Sequence, residues 1–98
     1  MKFVILLEKT ASPDAFQAVV PDHVAYMDDL HRRGALIAGG PFQDGRGGMV
    51  IIEAGDAAAA RAIAQADPFI ARGVETYSLR TWMVLTPVGP ELLTRDGT

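Results

Sequence analysis

His23 and Asp67 are ionisable residues at positions where the surrounding pattern calls for apolar ones. Each falls on the apolar stripe of an expected helix. A titratable group that faces a core must be neutral, paired or held in a pocket. An imidazole and a carboxylate that meet across a small domain make a proton-transfer pair, with the imidazole as base or acid and the carboxylate as the group that orients it. His23 shares its stripe with Met27 and Leu30. At about 100° per residue, His23, Val24, Met27, Leu30 and His31 fall in one arc, and Ala25, Asp28, Asp29 and Arg32 fall opposite. Asp67 ends an expected helix just before Pro68, where the helix dipole disfavours a carboxylate, so it needs a partner elsewhere. The competing readings are a core or capping histidine, and an Asp-Pro turn in which the side chain bonds its own backbone.

Other residues could line a pocket around such a pair. Gly39-Gly40-Pro41-Phe42 lets backbone approach closely, and amides near Gly40 form a candidate cradle for a developing oxyanion. Phe69 follows Asp67-Pro68. His31 is either a dipole partner at its helix end or a second pocket residue. Arg80 and Trp82 share a strand face by period two, so Arg80 is a candidate for an anionic ligand and Trp82 for a wall. The glycines between Gly45 and Gly48 lack the lysine and spacing of a phosphate-binding loop. Two histidines eight residues apart match no familiar metal spacing, so no metal site is expected.

The elements that must position these residues follow from pattern. Lys2 to Glu8 reads as a strand. Ser12-Pro13-Asp14 starts a helix, which Pro21 breaks into a short first turn (residues 14–18) and a main helix from Pro21 or Asp22 to Arg33, closed by Gly34. His23 then lies in the first turn of the main helix. Ala35 to Phe42 and Met49 to Glu53 read as strands joined by a glycine-rich turn. Residues 57–66 form an alanine-rich helix behind Asp56, and Val74 to Leu85 is a fourth strand. The order β-α-β-β-α-β is the ferredoxin-like plait, an α+β fold with a four-stranded antiparallel sheet under two helices. Two helices cover one sheet face, yet residues 3–7 and 49–52 are apolar on both. The second face must therefore be buried by a second copy or by the C-terminal tail, and a homodimer is the simpler answer.

The 98 residues suit one domain, expected over residues 1–86 with an extension over residues 87–98 that is loosely held or clasped on a neighbour. Hydrophobic residues make up 49% and cysteine is absent, which argues against disorder and excludes disulfides and thiolate chemistry. A net charge of -3 with scattered cations disfavours nucleic-acid binding. The apolar run from Phe3 to Leu7 is too short for a membrane span, and Glu8 and Lys9 cut it short as a signal peptide, so a cytoplasmic protein is expected.

Together these segments resemble the YciI-like family. The resemblance is carried by Phe3 to Leu7, Pro21-Asp22-His23-Val24-Ala25-Tyr26, Leu30-His31-Arg32-Arg33-Gly34, Gly39-Gly40-Pro41-Phe42, Gly48 to Ile52, Ala66-Asp67-Pro68-Phe69 with Gly73-Val74, and Arg80-Thr81-Trp82. It implies a dimeric α+β barrel related to muconolactone isomerase, and an active site on a histidine and an aspartate that map to His23 and Asp67. A dehydrochlorinase relative implies proton transfer on an aromatic or enol-like substrate. The chain departs from the family at Val20, where many members carry arginine; if that arginine binds an anionic group in relatives, this chain must use Arg80, Arg72 or nothing. The expected function is a small cofactor-independent enzyme of elimination or isomerisation, acting on a small aromatic or lactone-like molecule as a homodimer or higher homo-oligomer. Its rivals are a non-catalytic binding or accessory module with a structural His-Asp bond, and a haem- or quinone-handling barrel with His31 or His23 as ligand.

Overall fold

The computed structural model describes residues 1–87. Its elements are β1 (Lys2–Lys9), α1 (Pro13–Arg32), β2 (Leu36–Pro41), β3 (Gly48–Glu53), α2 (Ala57–Ala66), α3 (Pro68–Ala71) and β4 (Glu75–Trp82). The sheet order is β2-β3-β1-β4 with every neighbour antiparallel, which is the ferredoxin-like α+β plait. Alternation sorts the sheet. Phe3, Ile5 and Leu7 of β1 and Val50 and Ile52 of β3 are buried under the helices with Ala60 and Ala64 of α2. Phe3 opposes Ile52 and Ile5 opposes Val50, so the core is built from cross-strand pairs. No helix among the described residues is long and apolar enough to cross a membrane.

Three boundaries differ from expectation, and the first moves the site. Pro21 does not break α1. Ser12 caps a single 20-residue helix, its hydroxyl accepting the Ala15 N–H, and Pro21 lies inside it. Proline removes one helical N–H, which frees the Gln17 carbonyl. Both residues are exposed, so water can take that carbonyl. His23 therefore sits in mid-helix, not in a first turn. Gly34, at φ +77°, ends the helix: its N–H and that of Ala35 donate to the His31 and Leu30 carbonyls.

The second difference is α3, a single turn absent from the expected element order. Pro68 forces Asp67 into extended geometry (φ -61°, ψ 126°), which ends α2, and then supplies the first position of α3. The third is β4, which ends at Trp82 rather than Leu85. Residues 88–98, most of the expected extension, lie outside the described residues.

On the uncovered sheet face, Val4, Met49 and Ile51 adjoin Arg80 and Trp82. Trp82 is 45% exposed, and Met83 and Leu85 beyond it are exposed too. This face keeps the two-sided apolar character that the sequence implies, and no element of the described chain covers it.

Candidate active site

A second, smaller cluster of Val19, Phe69 and Val74, with Phe16 and Val20 against it, lies where α1 crosses α3. The pair is built here. His23 Nδ1 lies 2.9 Å from Oδ1 and 3.0 Å from Oδ2 of Asp67. The Asp67 side chain is nearly sealed, at 5% exposure, and that of His23 retains 16%. An ionised carboxylate only accepts, so Nδ1 carries the hydrogen and Nε2 is left for other work. Phe69 holds both partners. Its N–H donates to Asp67 Oδ1 at 2.9 Å, and its ring stacks on the imidazole with centroids 3.9 Å apart and planes 15° apart. Phe16 stacks on the other side of Phe69 at 4.7 Å. The imidazole is thus fixed in direction by Asp67 and in plane by a column of rings.

Asp67 is placed by two helices at once. It caps the C-terminus of α2, where a carboxylate is unwelcome, and the N-terminus of α3, where its acceptance of the Phe69 N–H is favourable. The Asp-Pro turn and the histidine partner are therefore both present. Tyr26 ties α1 to α2 by donating to the Ile63 carbonyl at 2.7 Å, and burial pushes its phenol pKa up.

His23 opens onto a cavity of about 460 Å³, a volume suited to a small molecule. Phe16, Val20, Val24 and Met27 wall it from α1, Phe69 from α3, and Gly39 to Pro41 from β2. Its floor depends on two glycines. At Gly47 (φ +126°) a Cβ would lie 1.9 Å from the Leu7 carbonyl oxygen, and at Gly48 it would lie 2.6 Å from that of Gly40. Only bare backbone fits there, so the start of β3 can close against β1 and β2.

Of the residues expected to surround the pair, Gly40, Pro41 and Phe69 do so. Phe42, His31, Arg80 and Trp82 do not. Phe42 lines a shallow hollow with Met49 and Ile51 on the uncovered face. His31 is exposed at the C-terminal end of α1, about 12 Å along the axis from His23. Arg80 and Trp82 do share a face, but it is the one away from the helices, because Tyr77 and Leu79 take the inward parity. Arg72 pairs with Asp22 and is not a cavity residue.

Glu75 was not foreseen. It lines the cavity, is 4% exposed, and its Oε1 has no partner among the described residues. Burial pushes its carboxyl pKa up, the nearby Asp67 charge pushes the same way, and His23 and Lys9 pull against them. Period two sets Glu75 on the face opposite Arg80 and Trp82, but only the structure shows that this face is the inward one.

The YCII-related domain model matches residues 1–83 of this chain. The uncharacterised protein YjpA of Bacillus subtilis (strain 168) is 35% identical over 66 residues, covering 67% of this chain and 78% of that protein. Among solved structures, the 5-chloro-2-hydroxyhydroquinone dehydrochlorinase TftG of Burkholderia phenoliruptrix AC1100, in complex with 2,5-dihydroxybenzoquinone, matches with a TM-score of 0.67 at 23% identity, over 85% of this chain and 94% of that one. An antibiotic biosynthesis monooxygenase matches with a TM-score of 0.57 at 18% identity, over 86% and 100%. At these identities the likeness to both structures is one of fold. The domain model spans β1 to β4 with the His23–Asp67 pair inside it, and with the Bacillus relative it makes this chain a member of the YCII-related domain family.

Proposed function

We propose that this protein is a small cofactor-independent enzyme that moves a proton on a compact ring-shaped substrate, with His23 as base and Asp67 as its orienting partner. The observation that carries this reading is the bond from His23 Nδ1 to a nearly sealed Asp67, on an imidazole that opens onto an apolar cavity. Asp67 holds the tautomer in which Nε2 can accept a proton, and its charge stabilises the imidazolium that results. Elimination and isomerisation both begin with this step, and the dehydrochlorinase among the structural neighbours performs an elimination.

The lining argues for a neutral or weakly acidic substrate. Val20 contributes a methyl surface where an arginine would supply charge, Arg72 is engaged by Asp22, and Arg80 lies on the other sheet face. Lys9 also borders the cavity, but its ammonium lies 4.2 Å over the Phe16 ring.

The test is solvent-deuterium exchange, followed by NMR, with a panel of small aromatic ketones, enones and lactones. The parent exchanges an α-proton of at least one probe, and His23→Gln stays folded with the rate down by about 10²–10⁴-fold. If the variant keeps the parent's rate, the base is elsewhere. If no probe exchanges but His23→Gln abolishes thermal stabilisation by a ligand, the cavity binds without catalysing.

The uncovered apolar face supports a homodimer, since Val4, Met49, Ile51 and Trp82 make a patch that a second copy would bury. Ile51→Glu is expected to sediment as a monomer under conditions where the parent is a dimer. A parent that is already monomeric at high concentration would refute this assembly.

A further inference from the structure

Glu75 opens β4 in cross-strand register with Lys9. A carboxylate this buried is normally paired, and a Lys-Glu bridge across the two strands is the structural role to expect. That bridge is not made. Lys9 is drawn over the Phe16 ring, and among the described residues no hydrogen bond reaches Glu75 Oε1. Asp67, the acid whose charge acts on Glu75, is engaged by His23 and the Phe69 N–H. The groups that face Glu75 are thus Lys9 from β1, His23 from α1 and Asp67 from the α2–α3 junction, and none satisfies it. A buried, unpartnered carboxyl oxygen costs stability that packing does not return. What would complete it is a molecule in the cavity that Glu75 shares with His23.

We propose that Glu75 is a second catalytic group of this cavity, an acid that gives its proton to a substrate oxygen as His23 takes one from a neighbouring carbon. The proposal rests on the proton-transfer reading of the site and names the substrate class: a neutral unsaturated ring ketone whose carbonyl stands next to an sp3 C–H bond and whose C=C bond becomes conjugated with the enol. The step balances. His23 Nε2 takes the proton, the C–H electron pair becomes the new C=C bond, and the carbonyl π pair moves onto oxygen, which takes the Glu75 proton. The products are an enol, an imidazolium held by Asp67, and a Glu75 carboxylate. Return of the imidazolium proton to a different carbon, and of the enol proton to Glu75, gives the isomer and resets both groups with no other reactant. Burial favours the protonated form of Glu75 before the step, and the new imidazolium charge favours its carboxylate after it.

Infrared difference spectra of the parent against Glu75→Gln test the starting state without any substrate. The expected result is a carboxylic-acid C=O band, absent from the variant, that persists to higher pH than the band of an ordinary glutamic acid with pKa about 4.3. A band that is lost along that ordinary titration overturns the proposal. Glu75→Gln is expected to fold. Its folded-state pKa being raised, Glu75 contributes fully below its unfolded pKa and that contribution is lost as pH rises, so the urea midpoint of the variant should gain on the parent's between pH 4 and 8. In the exchange assay the parent's rate should fall as rising pH takes the Glu75 proton; Glu75→Gln should lower the rate about 10²-fold or more and remove that fall, while Glu75→Asp should recover part of the rate. A Gln variant that exchanges at the parent's rate refutes the acid role. His23→Gln should lose exchange and keep the infrared band. A parent silent on every probe would instead sink the His23 reading, and this one with it.

Discussion

Asp67→Asn is expected to slow proton transfer by about 10²–10⁴-fold while leaving the fold in place. The argument is a count of donors. Asp67 Oδ1 accepts from the Phe69 N–H and lies 2.9 Å from His23 Nδ1, while Oδ2 lies 3.0 Å from the same nitrogen. Both neighbours donate, and a carboxylate satisfies both. An asparagine has one accepting oxygen. The backbone N–H of Phe69 cannot turn away, because it stands at the start of α3, so the amide oxygen stays there and the NH₂ faces the imidazole. A donor facing Nδ1 forces the hydrogen onto Nε2, and the nitrogen that opens to substrate is no longer a base. Nitrogen-15 spectra of the imidazole should show the tautomer inverted, alongside the fall in exchange rate. If the rate falls with the tautomer unchanged, the loss comes from the missing charge beside the imidazolium. If neither changes, Asp67 is a helix cap and nothing more.

How far the site was legible depended on whether a local rule or a tertiary one decided each residue. β1, β3 and α2 follow from apolar runs and an alanine-rich stretch behind a capping Asp56, and they emerge where local pattern puts them. The His23–Asp67 pair was legible because two polar residues interrupted apolar stripes, an inconsistency that their mutual contact resolves. Pro21 misled because its steric rule is local while its cost depends on whether water can reach the freed carbonyl, which is a property of the finished surface. α3 was hidden behind Pro68, which ends one helix and begins the next with the same ring. Arg80 and Trp82 show the limit of parity. Period two says which residues share a face, but not which face the helices cover. The apolar bulk of Trp82 drew it inward, whereas Tyr77 and Leu79 hold that side. The same ambiguity concealed Glu75, the one inward position of β4 with a charged side chain.

Gly47→Ala is expected to have the largest effect on stability, because the methyl has nowhere to go. Gly47 sits at φ +126°, outside the range open to residues with a Cβ, and the built Cβ falls 1.9 Å from the Leu7 carbonyl oxygen. That oxygen belongs to the backbone of β1 where Leu7 is in register with Gly48, so relief requires the β1–β3 ladder to part. Gly45→Ala separates the two costs. Its glycine also has positive φ, +77°, but meets nothing within 4 Å, so alanine there bears conformational strain alone, about 1–2 kcal/mol. Gly47→Ala adds a backbone clash and should exceed about 4 kcal/mol, a large share of the about 5–15 kcal/mol that holds a small domain folded. Urea unfolding of the two variants side by side checks the difference. Equal midpoints would mean that the β1–β3 ladder yields cheaply at this point, and with it the floor that Leu7, Gly47 and Gly48 give the cavity beneath His23.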